Sequence, residues 1–205
     1  MMSRIDEIHE FWFQGITDQT SIKNNQMPFK MWFMKDEALD RRIKNDFEAD
    51  LLAAFEGRRS DWEKNLRGRL ILILLFDQFS RNMYRGSERM FAFDARAVEL
   101  SLAAIESSRE GDLTLIERVF LYMPLQHSED FRLQKLSITQ FQSLIDESKR
   151  RNPANTPYYQ YTFDYARRHY EIIKRFGRFP HRNVLLNRTS SQEEAAFLEK
   201  PGARF

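Results

Sequence analysis

The chain has 205 residues, of which 42% are hydrophobic and 30% charged, with a formal net charge of +2. That balance belongs to a globular protein long enough to bury a core, not to a disordered one, and so small a charge does not point to nucleic acid. No cysteine is present, which excludes disulfides, thiolate metal sites and cysteine nucleophiles.

The length fits one domain, residues 1–205. The chain opens Met1-Met2-Ser3-Arg4-Ile5-Asp6-Glu7, with charges where a signal peptide would carry an apolar stretch. Phe11-Trp12-Phe13 either packs inside or supplies a homodimer contact; the sequence leaves both open. Leu39, Ile43, Phe47, Leu51 and Phe55 recur every four residues and predict an amphipathic helix, with Gly57 suited to its end. Ser60-Asp61-Trp62-Glu63 reads as a capping box that opens the next helix. That helix contains Leu70 to Phe76, apolar on every side and so expected at the centre of the fold. The same run is the longest aliphatic one and is too short to span a bilayer. The expectation is a cytoplasmic protein with no membrane segment.

Phe91, Ala95, Val98, Leu102 and Ile105 give another stripe. Leu113, Ile116, Phe120 and Met123 give a shorter one, expected to stop near Pro124. Ser128 ahead of Glu129 and Asp130 reads as the N-cap of a helix running to about Ser148. Arg150 to Asn155 is a loop, and Thr156-Pro157 reads as N-cap and first helical residue. Tyr158, Thr162, Tyr165, His169, Ile172 and Phe176 form the next stripe, and Ser190-Ser191-Gln192-Glu193 caps a final short helix. No alternating strand pattern competes. The fold class expected is all-α, built of antiparallel helix hairpins without a strict repeat.

Three polar stretches exceed what helix packing needs. In the first, Asp77 and Arg81 lie four apart on one helical face, and Gln78, Asn82 and Arg85 stand beside them. A salt bridge explains the first two alone; five hydrogen-bonding side chains within nine residues exceed what a helix end requires. Gly86 most simply makes the turn. In the second stretch, His127 sits between the proline-marked helix and the start of the next. Ser128 is accounted for as a cap, and neighbours in sequence seldom form a nucleophile–base pair. The third is basic: residues 167–188 hold seven Lys or Arg and one acid, Glu171. The helix dipole accounts for Lys174 and Arg175 but not for Arg178, His181 and Arg182. Asn183 could bond backbone locally. His169 lies on an apolar stripe, as a core histidine would. There is no His-Glu-x-x-His pattern and no glycine-rich phosphate loop, so no metal is assigned.

Taken together these residues resemble a widespread, largely bacterial family of uncharacterised proteins, a domain of unknown function. The motifs run from Phe11-Trp12-Phe13 and Trp32-Phe33 through Leu72–Asn82, Phe91-Ala92-Phe93-Asp94, Phe120–Asp130 and Arg175–Asn183 to Arg188–Glu194. Two positions depart from the family pattern. Ser80 stands where proline is usual, and Gln126 where glutamate is usual. The resemblance implies a tetratricopeptide-repeat-like, right-handed superhelix of helix hairpins. It implies no activity, substrate or cofactor.

Two readings follow from the residues. In the first, the three stretches meet at one polar pocket that binds a phosphate or carboxylate metabolite, in a hydrolase or transferase. Arg81, Arg85, Arg178 and Arg182 hold the anion, with Gln78, Asn82 and Asn183 orienting it. His127 or His181 carries a proton, and Asp77 or Glu129 sets its tautomer. In the second, the helical array is a scaffold for a protein or peptide partner and the polar motifs are structural pins. An enclosed polar cavity favours the first, an open groove the second.

Overall fold

The apolar stripes become helices. The computed structural model describes residues 2–23, 27–107 and 109–203; Met1 and residues 204–205, the ends of the expected domain, lie outside the described residues. Among the described residues every regular element is helical, so the protein is all-α.

Helix α1 (Arg4–Phe13) starts at Ser3, whose hydroxyl accepts from the Asp6 amide. Trp12 and Phe13 are buried, and Phe11 packs on Phe47 and Phe79 with ring centroids 4.8 and 5.9 Å away. The aromatic triplet therefore packs internally. The short α2 (Phe29–Phe33) is held to it by Trp32, whose indole N–H donates to the Trp12 carbonyl at 3.0 Å. Helix α3 (Glu37–Phe55) is capped by Asp36 and ends ahead of Gly57, whose φ of 79° is left-handed. Buried Asp50 on α3 receives Arg4 and Arg59 and ties α1 to this layer.

The next helix does not begin at Ser60. Residues Ser60–Lys64 form a 3-10 turn with no side-chain cap, and α4 (Leu66–Ile73) starts at Asn65, whose amide oxygen accepts from Gly68 N at 2.8 Å. A side chain on Gly68 would land on the Trp62 carbonyl, so turn and helix cross in direct backbone contact. From Leu74 to Phe79 the helix widens into π geometry, then tightens into α5 (Ser80–Met83). As expected, Leu70–Phe76 is buried on every side.

Helices α6 (Asp94–Glu106) and α7 (Leu115–His127) follow. Pro124 does not stop α7. The helix runs through it to His127, although proline at this position leaves the Phe120 carbonyl without its helical donor. One residue along, the Ser101 hydroxyl donates to the Leu121 carbonyl at 2.7 Å. Ser128 is the C-cap of α7, with extended backbone, rather than the cap of the next helix. Asp130 caps α8 (Phe131–Arg151), accepting from Arg132 N. Thr156 is likewise inside α9 (Thr156–Phe176). The Asn155 side chain, which precedes it, instead accepts from Ile22 N and donates to the Thr20 carbonyl. The long helices α8 and α9 are joined by the four residues 152–155, of which Pro153–Asn155 form a tight turn, and so pack antiparallel along their length. Gly177 ends α9 with φ 69°, and Ser191 opens α10 (Gln192–Leu198) through a capping box with Glu194. One apolar cluster runs from Ile8 on α1 to Ala166 on α9.

Gly68→Ala should destabilise the protein by about 2 kcal/mol or more, because backbone rather than a movable side chain blocks the new methyl. Urea unfolding of the variant checks this; an unchanged midpoint would show that the turn can move aside.

Candidate functional site

The π segment decides where the site forms. An α-helix that admits one extra residue per turn rotates the residues beyond it, and such widenings recur at functional sites. Here it turns Asp77 inward beneath the end of α7. Asp77 is fully buried, and its Oδ1 receives His127 Nδ1 at 2.7 Å. A carboxylate can only accept, so Nδ1 carries the proton and Nε2 of the neutral ring is the basic nitrogen. Gln78 donates to the other Asp77 oxygen at 2.6 Å.

The chain of contacts closes on itself. Arg81 Nη1 lies 3.1 Å from Asp77 Oδ1, and its Nη2 lies 3.0 Å from Asp94 Oδ1 on α6. The other Asp94 oxygen is 3.5 Å from Arg182 Nη1, and Arg182 Nη2 donates to the His127 carbonyl at 2.8 Å. Two carboxylates and two guanidiniums thus surround one neutral imidazole. Burial raises the Asp77 pKa, but Arg81 and His127 outweigh it and hold the group below the usual carboxylate range. For His127 burial is the largest influence and the pKa falls, despite the pull of Asp77. His169 packs 5.8 Å from the His127 ring centre and donates Nδ1–H to the Tyr165 carbonyl at 2.8 Å. Burial and then His127 push its pKa well down. Burial and then Arg182 bring His181 down to about 4.

His127 and His169 line a cavity of about 210 Å³. Arg81, Arg85 and Lys35 supply its cations, Gln78, Asn82 and Gln126 its amides, and Trp32, Phe33, Tyr161 and Tyr165 its aromatic walls. Among the described residues no carboxylate lines it. The carboxylates sit behind the cations: Asp77 and Asp94 with Arg81, and Asp40 with Arg85 at 2.7 Å and Asn82 at 2.7 Å. A larger cleft of about 900 Å³ between α1, α2 and α3 is lined by no histidine among the described residues. Among the described residues no three His, Asp or Glu side chains gather as metal ligands, and no helix is long and apolar enough to cross a membrane.

Of the residues expected at the site, Gln78, Arg81, Asn82, Arg85 and His127 line the cavity and Asp77 lies directly beneath it. The third stretch sits elsewhere. Arg178 forks onto Glu194 at 2.7 and 2.8 Å, and Asn183 donates to Ser190 and Glu194. Glu129 takes Arg188 at 2.7 Å and the Phe179 amide at 2.8 Å. Arg182 reaches the dyad from behind, stacked over Phe91 and Phe179 at 4.6 and 4.5 Å. This stretch pins α10 and its approach to the end of α9 and braces the back of His127. Sequence reasoning passed over Lys35, Tyr161, Tyr165 and Asp94. Asp94 looks like an ordinary first-turn acid, and the others like surface or stripe residues, until the fold brings them together.

Residues 8–202 match a family described as bacterial proteins of unknown function, DUF924, and the chain belongs to that family. No protein of curated function matches it. A solved structure of a protein of unknown function from Agrobacterium tumefaciens is similar along 96% of this chain and 97% of its own, with 30% identity and a TM-score of 0.76.

Asp77→Ala should cost about 3–5 kcal/mol, since it leaves buried Arg81 half-compensated and His127 without its acceptor; chemical denaturation reads this directly, and a loss under 1 kcal/mol would refute the closed ring. In the unfolded chain each histidine takes up a proton near pH 6.5, whereas folded His127, His169 and His181 resist it. The unfolded state then binds more protons, so stability must fall as pH drops from about 6.5 towards 4. The melting temperature should be lower at pH 5 than at pH 7 by at least a few degrees. A flat profile would contradict the neutral histidine assignment.

Proposed function

We propose that this DUF924 protein is an enzyme that binds a small anionic metabolite, a phosphate or carboxylate, in the His127 cavity and moves a proton through His127 during hydrolysis or group transfer. The observation that carries this reading is the buried Asp77–His127 hydrogen bond at a cavity that, among the described residues, is lined by three cations and no carboxylate. Asp77 fixes the tautomer and steadies the imidazolium once it forms. Nε2 takes a proton from water or a hydroxyl as that oxygen attacks the acyl or phosphoryl centre, then returns it to the departing oxygen. Arg81, Arg85 and Lys35 meet the anion, and the aromatic walls keep bulk water from its other side. Arg178, Asn183 and Glu129 hold the C-terminal segment in place, and Arg182 positions His127 through its carbonyl.

Thermal shift against a panel of phosphates and carboxylates tests the reading. A ligand at a hundred times its dissociation constant adds about 2.7 kcal/mol of stability. The shift should shrink in Lys35→Ala and Arg85→Ala, whose side chains reach the surface. His127→Gln should keep the binding shift and lose turnover of the compound that binds. If no anion shifts the parent protein, the reading fails and a scaffold for a peptide partner takes its place.

A further inference from the structure

The His127 cavity has a neighbour. Met34 and Lys35, in the link between α2 and α3, line the cavity and also line the cleft of about 900 Å³ between α1, α2 and α3. The two spaces share this rim, but their chemistry differs. The cavity gathers cations, amides and imidazoles; the cleft gathers methionine. Met2, Met27 and Met34 are 58, 60 and 54% exposed, and all three line the cleft. The other large apolar side chains that are comparably exposed among the described residues, Phe55 and Val184, lie outside it. Beneath these methionines lie Phe11, Leu39 and Phe47. Among the described residues eight charged side chains also line the cleft, and four of them pair with each other, Arg4 with Glu7 at 2.8 Å and Arg42 with Asp46 at 3.5 Å. These methionines give the cleft an apolar strip among its charges, and methionine, unbranched and polarisable, moulds itself to a flexible chain better than to a rigid ring.

We infer that the ligand is an elongated amphipath, with its anionic head in the His127 cavity and an unbranched alkyl tail that crosses the Met34–Lys35 rim into the methionine cleft. This rests on the anion reading above and names its class: medium-chain alkyl carboxylates or alkyl phosphate monoesters. Lys35 suits the crossing point, because its stem can lie along the tail while its ammonium stays near the head.

Calorimetric titration of the intact protein with butyrate, hexanoate, octanoate and decanoate, and with the matching alkyl phosphates, tests this below their micelle concentrations. A fully buried methylene strengthens binding about fourfold, so affinity should rise about two- to fourfold per added methylene along one series. Which series binds identifies the head. Met27→Glu places a charge in the cleft at a residue that does not line the cavity. It should flatten the dependence on chain length and leave butyrate binding unchanged. Affinity independent of chain length in the parent protein, with butyrate still bound, would overturn the tail while leaving the anion reading intact. A slope that survives Met27→Glu would also overturn it. Failure of every anion to bind would remove both.

Discussion

Everything around the candidate site hangs on a buried ring of charges. Asp77, Arg81, Asp94 and Arg182 alternate in sign, and the ring closes through the backbone and side chain of His127. No two of its members come from the same stretch except Asp77 and Arg81. It joins the π segment, the start of α6, the end of α7 and the turn that leads to α10. A buried charge without its partner is far costlier than a lost surface pair, so these four places must assemble together or not at all. The same ring sets the chemistry of the histidine. With two positive and two negative groups already balanced and the ring buried, His127 rests as the neutral imidazole, and Asp77 is the group that favours a proton on it.

The helices on either side are shaped to permit this. Packing alone would let the apolar run from Leu70 continue as a plain α-helix. The π widening at Leu74–Phe79 turns Asp77 and Gln78 towards α7, and the last turn of α7 persists beyond Pro124 to bring His127 down to meet them. Gln134 on α8 then donates to the carbonyls of Gln126 and Ser128, which satisfies the end of α7 where no helical donor remains. Behind the dyad, the pairs Glu129–Arg188 and Arg178–Glu194 clamp the C-terminal segment. Site and clamp are therefore linked mechanically, although only the first lines the cavity.

Much of this was legible in the residues. The four-residue spacing of Leu39 to Phe55 gave α3, and the uniform apolarity of Leu70 to Phe76 marked the central helix, because burial on every side leaves no polar face to place. The excess of polar side chains at 77–85 was visible as well. Where reading failed, local signals competed. Ser60-x-x-Glu63 has the letters of a capping box, but the helix starts at Asn65, whose side chain caps it by accepting from Gly68 N. Pro124 looks like a stop, yet α7 lies so deep in the core that its packing outweighs one lost hydrogen bond. Arg178 and Asn183 are the same residue types as Arg81 and Asn82 and were expected beside them. They differ because Glu194, the capping-box partner of Ser191, claims both from sixteen and eleven positions away.

The sequence by itself determined the helical class, the placing of most helices and the family, since these depend on periodicity, composition and motifs that no partner element is needed to express. Only the tertiary structure decided which polar residues share a site. Asp77 meets His127 across 50 positions and Arg182 meets Asp94 across 88. Pairings at that range depend on how the helices cross and on a π turn that no residue type announces, so chemistry carried by side chains from separate helices stays hidden until the helices are packed.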